Sequence, residues 1–409
     1  MISLPSIIGN IWASSTIFSH VNHLADSIGP RITGSTGNTQ AVSYLEDQFN
    51  NLELKVEKQL FDVDIWSYEE VSCNLGRQSI KAVPFGYSSP GEIEGSILPL
   101  INPNLKRLES YKFSDKIVVY LNTMGFMSAM GGRGLSREDL IAKSEEKGAT
   151  AFIEVTNKPG GVIERRNLKT SSSIPSVAVS LEDGHFLLRN QKDVTLTVVG
   201  QKKTVSGENI IAKTKQSTEK KIILNAHYDT APESPGAFDN ATGVATLLEL
   251  ARVFSEFETL PFSLEFVGLG ASKWHFSGAK KYIEKSLEQQ PRLAMTFDNT
   301  AKPGGTRNGV LTNDMHLFGV TKKLVSDFGF DINLAPIPIF GTDATQFHKR
   351  NIPIFVINQW KSPTFMNTPY DTPEKLSADS LKNSTSIAGA ILANIQNISR
   401  MDKTRKNKA

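Results

Sequence analysis

The unit that decides the fold lies at residues 222–254, which read IILNAHYDTAPESPGAFDNATGVATLLELARVF. Residues 222–225 form a short apolar run, as expected for a parallel strand that is buried on both faces. Residues 242–254 place apolar side chains at helical spacing and predict a helix with one buried face. The segment between them is rich in turn residues and contains one histidine and two aspartates. This order predicts a strand that leads through a loop into a helix.

The same alternation continues through the C-terminal half of the chain. Further strands are predicted at residues 264–269, 293–297, 309–312 and 352–357, and helices at residues 277–288, 314–328 and 378–398. Alternating strands and helices indicate an α/β fold, here a mixed, mostly parallel sheet sandwiched by helices. In such sheets ligands bind at the carboxyl ends of the strands, so the loops that follow strands are the places to look for chemistry.

The first half of the chain has a different character. Helices are predicted at residues 7–28 and 39–49, a half-buried strand at 54–63, and a helix at 135–147 that opens with the capping-box pair Ser136 and Asp139. Short β-branched runs indicate strands around this last helix, at residues 116–122, 150–156, 173–180 and 194–200. We therefore expect a discontinuous main domain, residues 1–90 and 204–409, and an inserted small β-rich domain, residues 91–203.

The composition excludes several classes of protein. Lys and Arg number 45 and Asp and Glu 42 among 409 residues, so the formal net charge of +3 gives no reason to expect a nucleic-acid or membrane partner. Cys73 is the only cysteine, which excludes an intramolecular disulfide and a cysteine-based zinc site. The chain has no apolar run of about 20 residues and no convincing signal peptide at its start. We expect a cytoplasmic location.

One histidine and two aspartates follow predicted strand ends and form a candidate metal site. His227 and Asp239 flank the loop before the helix at 242–254, and Asp298 follows the strand at 293–297. One imidazole and two carboxylates suit zinc with an open coordination position. Asp229 could orient the His227 imidazole without binding the metal itself. The spacing alone leaves a second interpretation open, in which Asp239 caps the helix and His227 is an ordinary loop residue.

The residues AHYDT at 226–230 and PGAFDNATGVATLLELAR at 235–252 resemble the cocatalytic two-zinc aminopeptidase family, which includes leucyl aminopeptidases and glutamate-carboxypeptidase relatives. The resemblance extends to IGPRITGSTGN at 28–38, SGENIIAKTK at 206–215 and NTPYDTPEKLS at 367–377. Residues 91–203 resemble the protease-associated domain that is often inserted in these enzymes.

The resemblance implies a role for each candidate residue. It makes His227 a ligand of one zinc, Asp239 the carboxylate that bridges two zinc ions, and Asp298 the remaining ligand of the first zinc. It makes Asp229 the residue that orients His227. Zinc is therefore the expected cofactor, and a peptide or an amino-acid-like small molecule is the expected ligand.

The chain departs from the family at the second metal. The family's Glu-Glu pair, of which the first Glu is the general base and the second a zinc ligand, is replaced by Ser272-Lys273. The family's last histidine ligand is replaced by Asn367. These replacements imply that one zinc ion binds and that the usual base is absent. We expect neither His275, His348 nor Asp371 to replace the base.

Lys273 allows two interpretations. Its ammonium could neutralise Asp239 where the second metal would be. One Zn²⁺, this ammonium and the carboxylates of Asp239 and Asp298 sum to a net charge of +1, the same as the family's two zinc ions and three carboxylates. Alternatively, Lys273 extends into solvent. The corresponding functions are hydrolysis of a peptide or N-acyl amino-acid bond at a single metal, with weak or altered activity, and an inactive family member that binds a peptide, an amino-acid-like ligand or a protein.

Two further residues carry expectations about structure. Asp371 is expected to cap the turn at residues 372–376. Asp343, in a segment that resembles the family's Ser-Asp-His-x-x-Phe loop, is expected to shape the floor of the pocket.

Overall fold

The computed structural model describes residues 3–14, 16–103, 108–121, 136–190, 192–215, 218, 220–286, 290–301, 308–336, 341–358 and 363–399. The chain forms two compact units, one of residues 1–63 and 206–409 and one of residues 64–205. Residues 64–90, which the sequence assigned to the main domain, therefore lie in the second unit. The reason is strand pairing, because the short strand Ala82–Pro84 hydrogen-bonds to Ser176–Val179 in the sheet of that unit.

Parallel strands form the centre of the first unit. They are β10 (Lys221–His227), β11 (Ser263–Leu269), β12 (Leu293–Phe297) and β15 (Ile354–Asn358). β10 pairs in parallel with β11 and β12, and β12 pairs in parallel with β15. The outer strands are β13 (Asn308–Thr312), which is antiparallel to β15, and β14 (Ile332–Ala335), which is parallel to β13. The predicted mixed, mostly parallel sheet is confirmed.

Helices cover both faces of this sheet. They are α1 (Leu4–Ala13), α2 (Ile17–Asn22), α3 (Thr36–Asn51), α6 (Thr242–Ser255), α7 (Ser277–Ser286), α8 (Met315–Phe328), α9 (Ala344–His348) and α10 (Ala378–Ser399). One face of the sheet packs with α1, α3, α6 and α10 in the largest apolar core, and the other face packs with α7 and α9 in a separate core. Residues 287–288 of the helix predicted at 277–288 lie outside the described residues.

The single helix predicted at residues 7–28 is wrong. α1 ends at Ala13, α2 begins at Ile17, and a π-helical turn, His23–Ile28, follows. Ser14 adopts an extended conformation, and its hydroxyl accepts a hydrogen bond from the Thr16 N–H at 3.3 Å. A serine side chain that bonds the local backbone in this way competes with helix formation.

The second unit contains a five-stranded sheet. Its strands are β3 (Ala82–Pro84), β5 (Ile97–Ile101), β6 (Ile117–Leu121), β7 (Ala151–Val155) and β8 (Ser176–Val179). Their order in the sheet is β3-β8-β7-β6-β5. Two helices accompany it, α4 (Arg137–Glu146) and α5 (Leu181–Asn190), of which the sequence predicted the first. The Ser136–Asp139 capping box of α4 is present as predicted.

Four further strands complete the described set: β1 (Lys55–Leu75), β2 (Gln78–Ile80), β4 (Gly91–Gly95) and β9 (Val194–Lys213). β9 pairs antiparallel with β11 through residues 210–213, and β1 pairs with β2. None of the helices in the described ranges is long and apolar enough to cross a membrane.

Candidate metal centre

Two neighbouring parallel strands bring the predicted metal ligands to one edge of the sheet. His227 is the last residue of β10, and Asp298 follows the end of β12. The register pairs Asn225 with Thr296, so both strands end at the same level. Asp239 reaches this edge from the turn Ala237–Ala241, which leads into α6. The position agrees with the rule that parallel sheets place chemistry at the carboxyl ends of their strands.

The three side chains are close enough to share one metal ion. His227 Nε2 lies 3.2 Å from Asp239 Oδ1 and 3.7 Å from Asp298 Oδ1. All three ligand atoms lie within 4.8 Å of one another, and all three residues are buried. Asp239 Oδ1 and Asp298 Oδ1 have no well-formed hydrogen bond within the described residues. Buried carboxylate oxygens without partners are costly, and a divalent ion would satisfy both, so this donor set fits zinc.

The main-chain oxygen of Asp229 orients the imidazole. His227 Nδ1 lies 3.0 Å from this oxygen and 3.5 Å from the Asp229 carboxylate. A hydrogen bond at Nδ1 leaves Nε2 free to bind a metal. The Asp229 carboxylate instead accepts the backbone N–H groups of Ser272 and Lys273, each at 2.9 Å. Asp229 therefore supports the site in two ways, of which sequence reasoning anticipated only the contact with His227.

Protonation of His227 responds to opposing influences. Burial and the nearby Lys273 ammonium lower the pKa of His227, while its contacts with Asp229, Asp239 and Asp298 raise it. The carboxylates outweigh the other two influences, so the pKa lies well above that of an ordinary histidine. In the metal-free protein, the positive charge of protonated His227 thus compensates the same carboxylates that a metal ion would.

The Lys273 side chain is directed at Asp239 and not into bulk water. Its Nζ donates to Asp239 Oδ2 at 2.6 Å, and the lysine side chain is 21% exposed. Burial lowers the pKa of Lys273, but the opposing influence of Asp239 and Asp298 is larger. The pKa of Lys273 is therefore raised, and the amine is protonated. Burial raises the pKa of Asp239, but Lys273 and His227 hold it well below its usual range. One carboxylate oxygen of Asp239 thus contacts the Lys273 ammonium, and the other lies beside His227 at the candidate metal site.

Ser272, which the resemblance aligned with the family's base, contacts a second buried carboxyl group. Its Oγ donates to Asp343 Oδ2 at 2.7 Å, and both residues are buried. Burial raises the pKa of Asp343 to about 6, although His227 and the Ser272 hydrogen bond lower it. Sequence reasoning placed Asp343 at the pocket floor but missed this contact, for which the spacing of the two residues gives no signal.

Asp371 has a different role from the one predicted. Its Oδ1 accepts the backbone N–H of Phe238 at 2.7 Å, and its Oδ2 accepts the N–H of Asp239 at 3.2 Å. It therefore fixes the backbone of the metal-binding turn and does not cap the turn at residues 372–376, whose N-cap is Thr372. A buried carboxylate that accepts two backbone N–H groups at once makes strong hydrogen bonds, and these outweigh what capping the short turn at residues 372–376 would contribute.

Arg31 and Asn240 also stabilise the loop between β10 and α6, and the sequence analysis assigned a role to neither residue. Arg31 is fully buried and donates hydrogen bonds at 2.6–2.9 Å to the main-chain oxygens of Leu24, Gly29, Tyr228, Pro235 and Gly236. Asn240 accepts the N–H groups of Gly243 and Asn299, and it donates to the Phe297 oxygen. The only sequence signal for Arg31 is its place in the segment at 28–38.

The remaining candidate residues are Asn367, His275 and His348. Asn367 has a positive φ of 58°, and its buried Oδ1 lacks a hydrogen-bond partner among the residues that the structure describes. His348 contacts Asn313, and burial lowers the pKa of His275. Among the described residues, the group that could hold a metal includes neither histidine.

Comparisons with known proteins find a matching family and relatives that share the fold. The model of Peptidase family M28 matches residues 209–392. Aminopeptidase YwaD of Bacillus subtilis (strain 168) is 26% identical over 411 residues, which cover 95% of this chain and 86% of that protein. The solved aminopeptidase from Aneurinibacillus sp. strain AM-1 has a TM-score of 0.75 at 23% identity, with 96% of each chain covered. BSAP, a zinc aminopeptidase from Bacillus subtilis, has a TM-score of 0.76 at 22% identity and covers 93% of this chain and 94% of its own. The two structures show that the fold is shared.

Proposed function

Because the chain carries a Peptidase family M28 domain and fits a zinc aminopeptidase family, we propose that it hydrolyses a peptide or N-acyl amino-acid bond at a centre with one zinc ion. The observation that carries this proposal is the division of Asp239 between Lys273 Nζ at 2.6 Å and His227 Nε2 at 3.2 Å. A two-zinc centre needs both oxygens of this carboxylate for metal ions.

The Lys273 ammonium supports the proposal of one metal ion. Two unit charges about 4 Å apart interact by roughly 4 kcal/mol near a protein surface, so Lys273 disfavours a second cation at Asp239 Oδ2. The pKa of Lys273 is raised, so the ammonium persists at neutral pH. The missing glutamate and histidine at positions 273 and 367 remove the remaining ligands of such an ion.

The residues present can support hydrolysis of an acyl–nitrogen bond. A zinc ion held by His227, Asp239 and Asp298 would supply Lewis-acid activation of the carbonyl and of water. Lys273 places a fixed positive charge beside the site, where it can stabilise the oxyanion of a tetrahedral intermediate. Asp371 and Asp229 keep the ligand turn and the 272–273 segment in place through backbone N–H groups.

The ligand proposed is a peptide or an amino-acid-like small molecule, without a nucleic-acid or membrane partner. We also propose that the inserted unit is of the protease-associated type, on the strength of the sequence resemblance, and that the protein acts in the cytoplasm. Superposition of its five-stranded sheet on solved protease-associated domains tests the first point, and cell fractionation tests the second.

Metal content and turnover together test the proposed function. Protein dialysed against trace zinc should hold one zinc ion per chain by elemental analysis. It should cleave members of a panel of aminoacyl and N-acyl chromogenic substrates with zinc, cobalt or manganese. His227→Ala should abolish both, whereas the matched variant His348→Ala should keep both. Two zinc ions per chain would refute the one-metal centre, and no turnover with any metal would favour the alternative of a binding protein.

A further inference from the structure

Ser272 and Lys273 are held as a pair at the metal ligands. Their backbone N–H groups donate to the two oxygens of the Asp229 carboxylate, each at 2.9 Å. Asp229 in turn contacts His227 through its main-chain oxygen. This tether fixes Ser272 beside the residue whose ammonium contacts Asp239. The Ser272 hydroxyl donates to Asp343, whose carboxyl group is close enough to the site to be influenced by the charges of His227 and Asp298.

The Ser272 hydroxyl donates a hydrogen bond to a carboxyl group that has no other side-chain hydrogen bond in the described structure. Ser272 Oγ donates to Asp343 Oδ2 at 2.7 Å, and the two residues are 5% and 1% exposed. Asp343 precedes α9, where an aspartate commonly caps the helix, but its side chain makes no capping hydrogen bond. Its Oδ1 is buried without a hydrogen-bond partner among the described residues. A buried carboxyl group without a structural purpose is a candidate for a chemical one.

We propose that Ser272 and Asp343 form a proton relay that replaces the glutamate base missing from this site. The inference rests on the proposed hydrolytic function. As the attacking water loses a proton to Ser272 Oγ, the Ser272 hydroxyl proton moves to Asp343 Oδ2. The water oxygen keeps the electron pair of its broken O–H bond and bonds to the scissile carbonyl carbon. Asp343 later returns the proton, through Ser272, to the leaving nitrogen.

The surroundings of Asp343 suit a proton acceptor. Burial and the negative charges of Asp229 and Asp298 raise its pKa, while His227 and the Ser272 hydrogen bond lower it, and the result is a pKa of about 6. A general base works best when its pKa lies near the working pH, because it is then ionised and still basic. In this arrangement Ser272 touches the reacting water, and Asp343 is a positioning residue that acts through it.

Two substitutions test the relay in the zinc-loaded protein. Asp343→Asn keeps the shape of the side chain but cannot accept the proton, and Ser272→Ala removes the hydroxyl. Each should lower kcat by roughly 10²–10⁴-fold with little change in KM and in zinc content. Asp343→Asn should also remove the acidic limb of the pH profile of kcat, and Ser272→Thr should retain activity. Ser180 and Asp183 form a similar pair, with Ser180 Oγ 2.9 Å from Asp183 Oδ2, so Ser180→Ala and Asp183→Asn serve as matched controls.

A second background separates a chemical role from a structural one. Ser272→Glu places a carboxylate at the family's base position, so Asp343→Asn should cost less than about 3-fold in that background. An equal loss in both backgrounds, or full activity of Asp343→Asn in the natural background, would overturn the relay and leave the proposed function intact. A wild-type protein without turnover would overturn the proposed function itself.

A measurement without turnover completes the test. In protein with ¹³C-labelled aspartate carboxyls, Asp343→Asn identifies the Asp343 resonance. Ser272→Ala should raise the pKa of Asp343, because the hydroxyl stabilises the ionised form. A pKa of Asp343 that does not respond to Ser272→Ala would overturn the relay whatever the activity of the protein.

Discussion

We call the Lys273 ammonium a tethered cation, because it is a positive charge of the chain itself at the place of a second metal ion beside Asp239. Replacing Lys273 by methionine tests this interpretation most directly, because the effect should depend on zinc. The ammonium lies 2.6 Å from Asp239 Oδ2, and the two side chains are 21% and 4% exposed, so solvent screens the pair only weakly. Removing one partner of a buried ion pair costs about 3–5 kcal/mol, because the other charge stays buried. The metal-free variant should therefore lose about this much free energy of unfolding.

Zinc should reduce that loss. With the ion bound at the Asp239 Oδ1 side, the Asp239 charge is compensated without Lys273, and the ammonium no longer repels the ion. By thermodynamic linkage, a loss that is smaller by about 2 kcal/mol in the zinc-loaded state means roughly 30-fold tighter zinc binding by the variant. Chemical denaturation with chelator and with zinc measures the first quantity, and zinc titration calorimetry measures the second.

Lys221 provides a matched control for this experiment. Its Nζ lies 2.9 Å from Glu265 Oε2, and the two side chains are 30% and 3% exposed, so the pair resembles the one at the metal centre. Lys221→Met should destabilise the protein equally with and without zinc. If Lys273→Met also gave equal losses in the two states, or no loss without zinc, the interpretation of Lys273 as a tethered cation would be refuted.

Three further predictions follow from the site and its loop. The first introduces the side chains that the sequence resemblance implies for a two-zinc centre, by the substitutions Ser272→Glu, Lys273→Glu and Asn367→His. The folded triple variant should bind two zinc ions per chain and hydrolyse the chromogenic panel faster than wild type; elemental analysis that finds one ion would contradict this. The second concerns pH: zinc needs a neutral His227, whose pKa in the metal-free protein lies well above 6.5, so zinc affinity should rise with pH through that pKa. The contribution of His227 to metal-free stability is full below pH 6.5 and is lost as pH rises through the raised pKa. Calorimetry in buffers of different ionisation enthalpy should detect proton release on zinc binding, and its absence would count against this. The third is Gly236→Ala: at φ 62° a Cβ would lie 2.4 Å from Thr230 Cγ2, so stability should fall by about 1–3 kcal/mol, whereas Gly319→Ala, in open space within α8, should be neutral or stabilising. Equal melting temperatures for the two glycine variants would contradict the third prediction.

The sequence by itself determined the order of strands and helices in the C-terminal half, and it predicted the three side chains of the candidate metal site. Strand β12 has the predicted bounds, and β10 and α6 differ from prediction by a few residues at their ends. These features are local, because hydrophobic periodicity reflects which face of an element is buried. The strand-end rule together with the family resemblance singled out His227, Asp239 and Asp298, and the structure brings their ligand atoms within 4.8 Å of one another.

Only the tertiary structure decided how the site is supported. Asp371 holds the backbone of Phe238 across 133 residues of chain, and Ser272 meets Asp343 across 71. Arg31 reaches the loop at residues 228–236 from the N-terminal region. The division of residues 7–28 into separate helices and the place of residues 64–90 in the second unit were likewise not visible in the pattern. Hydrogen bonds between distant side chains depend on how the elements pack in three dimensions, and the local pattern of polar and apolar residues carries no record of that packing.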